Sequence, residues 1–209
     1  MQTDVMSARE VNELKKVPHV DGVLDVFFER WSPRSFADRE VSPELLRKVF
    51  EAARWAPSSF NEQPWRFLVG ARGSSTYDKI YNSLGEFNKK WARKAPVLMI
   101  NAAKNKFDHN GETNRVAFYD LGAAASYLCL QAAALGLSVH QMAGLDTEAA
   151  RKAFGIPGEY TIGAAIALGY TGDPAALGDQ QLIEREVAPR TRMPLNKFVF
   201  SEWGQSSPI

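Results

Sequence analysis

The most regular pattern of apolar and polar positions lies in residues 41–57, VSPELLRKVFEAARWAP. Apolar residues recur there every three or four positions, which places them on one stripe of a helix. Ser42 is a typical N-cap, Pro43 suits the first helical position, and Pro57 marks the stop. The pattern predicts an amphipathic helix whose apolar stripe consists of Leu45, Leu46, Val49, Phe50 and Ala53.

Three short apolar runs favour buried strands, because they are bounded by polar segments and have no helical spacing. The third run contains glycine, which would let a ligand or another backbone approach closely. Residues 74–94 are more polar and are predicted to be helical. The three runs are WRFLVGA (65–71), PVLMINAA (96–103) and YTIGAAIALGY (160–170).

The longest regular segment is NRVAFYDLGAAASYLCLQAAALGL, from Asn114 to Leu137. Beyond Asp120 it is apolar around most of its circumference, so the predicted helix is buried on nearly all sides, in a core or between subunits. Gly136 would end it. A shorter amphipathic helix, DTEAARKAFGIP, follows with Asp146 as its N-cap. A few strands combined with longer helices indicate the α+β class.

The two ends of the chain lack such patterns. Residues 1–20 are polar and irregular and are predicted to form an N-terminal arm. From Thr171 onward, only a helical turn near LGDQQLIERE and an extended NKFVF are expected. We therefore expect one main domain, residues 21–195, followed by a C-terminal extension, residues 196–209.

Composition narrows the class of protein. Lys and Arg total 25 against 24 Asp and Glu, so no overall charge favours nucleic acid or a membrane surface as a partner. No apolar run reaches the ~18 residues of a membrane span, and the polar start lacks the apolar core of a signal peptide. Cys129 is the single cysteine and lies among apolar residues, which predicts an inert thiol and a cytoplasmic protein. The three histidines are far apart, so no metal site is expected.

Two small basic clusters are candidate anion sites. In RWSPRSF, Arg30, Ser32 and Arg34 alternate, so an extended backbone would place all three side chains on one face. Arginine binds phosphate in a fixed bidentate geometry. PRTRMP repeats the alternation with Arg190 and Arg192. Taken alone, the first cluster is more typical of a solvated basic turn, and the second of a charged tail.

The stretch PSSFNEQPWRF, residues 57–67, places many hydrogen-bonding groups between a predicted helix and a predicted strand. One interpretation is a turn whose serine and asparagine side chains satisfy their own backbone. The other is a ligand-binding loop. The second interpretation is favoured because the first would leave the loop and both basic clusters, which lie about 155 residues apart, all without a function.

These stretches together resemble the FMN-dependent nitroreductase family. The resemblance runs along most of the chain and rests on five motifs in the family's order, which makes it more specific than any single motif. The motifs are RWSPRSF, PSSFNEQPWRF, YDLGAAASYLCLQAAALGL, HQMAGLD and RTRMPL.

The resemblance implies an α+β fold of the nitroreductase type, in which helices flank a central, mostly antiparallel sheet. It also implies a homodimer with the long helix at its interface, and FMN bound there. In that family the loop equivalent to PSSFN reaches the flavin held mainly by the other subunit. The implied cofactor-binding residues are Arg30, Trp31, Ser32, Arg34, Pro57, Ser58, Ser59, Asn61, Gln63, Asn88, Met142, Ala143, Gly144, Arg190 and Arg192.

By the same resemblance, Arg30, Ser32 and both C-terminal arginines serve the phosphate and the ribityl chain. Arg34 would lie near N1 and the C2 carbonyl, where a fixed cation stabilises the negative charge of the reduced flavin. Residues 142–144 would lie along the edge of the flavin ring. Ala143 stands where some members carry glutamate, so only a backbone contact is expected there. No catalytic side chain is expected, because the flavin carries the chemistry.

The implied activity is an oxidoreductase that takes a hydride from NADH or NADPH. It would then reduce a small organic acceptor, such as a nitroaromatic or a quinone, by a ping-pong mechanism. The alternatives are another flavin reaction on the same fold, such as dehydrogenation or dehalogenation, and a flavin-binding protein without turnover. The extension 196–209 is expected to pack on the partner subunit.

Overall fold

The computed structural model describes residues 6–208, so the first five residues of the predicted arm and the last residue of the extension lie outside it. No helix within this range is long and apolar enough to cross a membrane. The helices are α1 (Ala8–Leu14), α2 (Val26–Glu29), α3 (Pro43–Arg54), α4 (Ser75–Asn82), α5 (Glu86–Ala92), α6 (Ala117–Ala134), α7 (Thr147–Phe154) and α8 (Gln180–Val187). The strands are β1 (Trp65–Ala71), β2 (Val97–Lys104), β3 (Ser138–Met142), β4 (Tyr160–Gly169), β5 (Phe200–Glu202) and β6 (Gln205–Ser206).

Four strands form the central sheet in the order β1-β2-β4-β3, and every neighbouring pair is antiparallel. This confirms the predicted α+β class and antiparallel sheet. Strand β2 is buried along Val97–Ala103, because helices cover the sheet on both faces. A strand buried on both faces has a continuous apolar sequence rather than an alternating one, which explains the PVLMINAA run.

Two apolar cores lie on opposite faces of the sheet. On one face, α3 and α6 pack through residues such as Val49 and Leu128. On the other, α4, α5 and α7 contribute Ile80, Trp91 and Ala150. Ser42 caps α3 as predicted, since its side chain accepts a hydrogen bond from Leu45 N.

Helix α6 is central, as predicted, although it is shorter than the segment 114–136. Its inner face is buried, yet two aromatic side chains near its start are exposed, Phe118 by 56% and Tyr119 by 80%. Tyr127, two turns later, is also exposed. The helix is therefore apolar around its circumference, but this chain covers only part of it.

Four segments differ from the sequence-based expectation. The predicted irregular arm contains α1, which has a complete capping box and buries Val11. The HQM part of the predicted loop HQMAGLD belongs to β3, a five-residue edge strand whose polar residues mask a strand pattern. The single turn near LGDQQLIERE is the full helix α8. The stretch NKFVF, predicted to be extended, instead begins in a 3-10 turn, Leu195–Lys197, and only Phe200 belongs to a strand, in the hairpin β5–β6.

Candidate functional site

The loop after α3 has a strained backbone. Three residues other than glycine have positive φ in it: Phe60 at 54°, Asn61 at 55° and Gln63 at 50°. Such residues are uncommon in proteins and persist where the surroundings fix them. Ser58 Oγ accepts from Gln63 N at 3.0 Å, and Ser59 N donates to Asp120 Oδ2 at 3.1 Å. The loop thus satisfies part of its own backbone, as one interpretation expected, and it is also tied to α6.

A second segment braces the same loop. The carboxylate of Glu62 accepts a hydrogen bond from Asp108 N at 2.7 Å. The exposed Phe60 ring packs edge-on against Phe107 with ring centroids 5.6 Å apart, and His109 contacts both rings. Residues 105–113 therefore support the strained conformation from outside.

The segment RWSPRSF runs past the outer edge of the sheet. Arg30 Nη1 donates to Ser32 Oγ at 3.4 Å, and Phe36 forms a bridge with Thr171. The backbone N–H groups of Arg34 and Ser35 donate to the carboxylate of Glu186. Arg34 Nε is buried and has no hydrogen-bond partner within residues 6–208.

Near this segment lies a small pocket with a concentration of positive charge, which we call the basic pocket. Its volume is about 250 Å³. Burial lowers the pKa of both Lys15 and Arg190, and neighbouring arginines lower it further, while the negative charge of Glu186 acts in the opposite direction on the pKa of Lys15. An anion placed there would relieve this repulsion. The charged and hydroxyl side chains that line the basic pocket are Lys15, Arg30, Ser32, Arg185, Arg190 and Arg192.

The basic pocket joins distant parts of the chain. Arg190 Nη1 donates to the carbonyl of Lys15 at 2.9 Å and to that of Phe28. Lys15 Nζ in turn donates to the carbonyl of Ala188. Sequence reasoning missed Lys15 and Arg185, since neither belongs to a recognisable motif. Only the docking of α1 and α8 brings them to the predicted arginines.

A second cavity, of about 360 Å³, lies between α6 and the strands β3 and β4, and we call it the apolar cavity. Predicted residues Met142 and Ala143 line it, together with residues that were not predicted to bind the cofactor. Gly163 leaves room beside Asn101, since a Cβ there would overlap Asn101 Oδ1. The remaining lining residues are Phe118, Leu121, Gly122, Ala125, Gln141 and Ala164.

Strand β3 connects the two cavities. His140 Nδ1 donates to the carbonyl of Pro33 at 2.9 Å, which ties β3 to the residue next to Ser32. The His140 ring also packs on Trp91, with centroids 4.6 Å apart. Burial lowers the pKa of His140 to about 4, so the imidazole is neutral near pH 7.

Asn88 was predicted to lie near the ring of the cofactor. Its Nδ2 donates to the carbonyl of Gly144 at 3.0 Å, and Gly85 N donates to the same carbonyl at 2.9 Å. A Cβ at position 144 would lie 2.7 Å from Asn88 Nδ2. Asn88 therefore holds the backbone that follows Ala143, and its amide donor is engaged in doing so.

Twelve of the fifteen predicted site residues fall into three groups within one chain, and the other three, Arg34, Asn88 and Gly144, line neither cavity. Arg30, Trp31, Ser32, Arg190 and Arg192 share the basic pocket, and Met142 and Ala143 line the apolar cavity. The loop residues Pro57, Ser58, Ser59, Asn61 and Gln63 line neither cavity. Among residues 6–208, no cluster of three His, Cys, Asp or Glu side chains is placed to hold a metal ion.

Comparisons with known proteins identify the family. The nitroreductase family model matches residues 28–90 and 75–170. A 15.4 kDa protein of Mycolicibacterium smegmatis is 36% identical over 147 residues, covering 66% of this chain and 97% of its own. An NADH dehydrogenase of Thermus thermophilus is 29% identical over 202 residues, covering 82% and 91%. A crystal structure of an FMN-containing oxidoreductase superposes with a TM-score of 0.82 at 33% identity, covering 89% and 94%. The chain belongs to the nitroreductase family of oxidoreductases.

Proposed function

We propose that this protein binds FMN and uses it to pass electrons from NADH or NADPH to a small organic acceptor. A nitroaromatic or a quinone is the proposed acceptor class, and a ping-pong order is the proposed kinetic scheme. The observation that carries the proposal is the pairing of the basic pocket with the apolar cavity, linked by β3. FMN matches this pairing, because its phosphate monoester suits the basic pocket and its planar ring system suits the apolar cavity.

The residues present fit this cofactor. Arg30, Ser32, Arg190 and Arg192 would hold the phosphate and the ribityl chain, because guanidinium groups donate in a geometry that suits phosphate oxygens. The unpartnered Arg34 Nε suits an acceptor on the ring, and its cation would favour negative charge there. When bound, FMN supplies the capacity to accept a hydride from the nicotinamide and to release electrons to the second substrate.

We further propose a homodimer in which the loop 57–63 of one subunit completes the site of the other. In one chain this loop lines neither cavity, and beside it Phe118 and Tyr119 expose apolar surface on α6. The C-terminal extension would pack on the partner subunit, since Trp203 at its hairpin is 97% exposed. A cytoplasmic location, consistent with a single buried thiol, is part of the same proposal.

The test begins with the cofactor released from purified protein by heat. Mass spectrometry should identify FMN, and anaerobic addition of NADH or NADPH should bleach the bound flavin. Steady-state assays with both nucleotides against nitroaromatics and quinones then define the acceptor. Absence of flavin after addition of FMN would refute the cofactor, and a flavin that neither nucleotide bleaches would indicate binding without turnover.

A further inference from the structure

Glu186, near the end of α8, is a fully buried acidic residue. Its Oε1 accepts from Arg34 N and from Ser35 N, both at 2.9 Å, and its Oε2 also approaches Arg34 N at 3.0 Å. One carboxylate thus holds two successive backbone N–H groups. Such contacts to a charged acceptor are stronger than those between neutral groups.

The buried charge has no direct ion pair within the described residues 6–208. Arg34 and Lys15 interact with Glu186 only through longer-range attraction. A buried carboxylate without an ion pair is expensive, and an apolar side chain of similar volume would commonly be as stable or more stable. Packing alone therefore does not explain a glutamate at this position.

The arrangement keeps the Arg34 guanidinium free. If Glu186 formed a bidentate pair with that guanidinium, the cation would be partly neutralised and its donors engaged. The carboxylate instead bonds the backbone of Arg34, while Arg34 Nε stays without a partner. The backbone is fixed and the side chain remains available.

We propose that Glu186 is a positioning residue that fixes the backbone of Arg34 and whose negative charge moderates the effect of the Arg34 cation on the bound cofactor. This inference rests on the proposed FMN function. It predicts that the reduction potential of the flavin depends on the charge at position 186, with a sign opposite to that of the Arg34 cation. It predicts separately that the backbone at Arg34 and Ser35 loosens when position 186 has no acceptor.

The charge is tested with Glu186→Gln, because the amide oxygen can replace Oε1 and accept from both N–H groups. Glu184→Gln is the matched control on the same helix, where the side chain is exposed. Redox titration with FMN in excess should give a more positive midpoint potential for Glu186→Gln and a wild-type value for Glu184→Gln. Arg34→Ala, which removes a positive charge, should shift the midpoint potential in the opposite direction, to a more negative value.

The positioning is tested without reference to the flavin. Hydrogen exchange of the peptide that contains Arg34 and Ser35 should be similar in wild type and Glu186→Gln. It should be at least tenfold faster in Glu186→Leu, because about 1.5–3 kcal/mol of hydrogen bonding to a charged group is lost.

An unchanged potential in Glu186→Gln, or a shift in the same direction as that of Arg34→Ala, would overturn the electrostatic part of the inference. Unaltered exchange in Glu186→Leu would overturn the positioning part. If wild-type protein bound no FMN, the proposed function would fail and the electrostatic part with it. The exchange measurement would then still decide whether Glu186 anchors this segment.

Discussion

Replacing His140 with asparagine should make the protein less sensitive to acid. The His140 ring is buried against Trp91, and Nδ1 donates to the carbonyl of Pro33. Burial is the main cause that lowers its pKa from 6.5 to about 4. Because the unfolded chain binds this proton more tightly than the folded protein, stability is present above pH 6.5 and is lost as the pH falls towards 4.

The expected magnitude follows from the two pKa values. A difference of about 2.5 units corresponds to roughly 3.4 kcal/mol of unfolding free energy when the titration is complete. At pH 5, where the folded protein still holds His140 mostly neutral, about 2 kcal/mol should already be lost. Asparagine keeps a donor for the Pro33 carbonyl and cannot be protonated in this pH range. The loss of unfolding free energy that comes from protonation of His140 should therefore disappear.

Urea unfolding at pH 8, 7, 6 and 5 measures the effect, at fixed protein and FMN concentrations. His140→Asn should be less stable than wild type at pH 8, because the ring packing is lost. The gap should shrink by about 2 kcal/mol at pH 5. Parallel curves for His140→Asn and wild type would refute the reasoning.

Three further predictions concern the cofactor and the assembly. Arg192→Ala should weaken FMN binding about 10- to 150-fold in a fluorescence titration, without changing the reduction potential of the bound flavin. Arg34→Ala should lower that reduction potential even at saturating FMN. An equal change of potential in both variants would refute these roles. Gly163→Ala should weaken FMN binding, because the alanine Cβ would overlap Asn101. An unchanged affinity in the same titration would place the flavin ring outside the apolar cavity. Tyr119→Glu should shift the mass in light scattering towards the monomer, and an unchanged dimer would exclude the exposed α6 surface as the interface.

Strong periodicity made much of the fold predictable. Helix α3 has a cap, a proline at its start and a regular apolar stripe, so its sequence and its environment agree. Strand β2 was predictable because a short continuous apolar run between polar segments is typical of a strand buried on both faces. Strand β3 was not, because it is a short edge strand in which His140 and Gln141 contact different neighbours.

The candidate site was predictable only as far as its motifs extend. Lys15 and Arg185 share the basic pocket with Arg30, yet 170 residues separate them from each other and no local pattern links them. The sequence did contain one signal: Asp120 is a carboxylate in an otherwise apolar helix. A buried carboxylate requires a donor, and the structure supplies the backbone N–H of Ser59.

Four buried or half-buried polar side chains of the site share one property: each bonds the backbone of a loop at the site. When such a loop moves away, both partners lose a hydrogen bond in a poorly hydrated place, which costs roughly 1–3 kcal/mol per group. The loops are therefore held by the protein itself rather than by a ligand. From this we infer that the site is formed before any cofactor arrives, because its backbone geometry depends on anchors outside the cavities. The four anchors are Asn88 on Gly144, Asp120 on Ser59, His140 on Pro33, and Glu186 on Arg34 and Ser35.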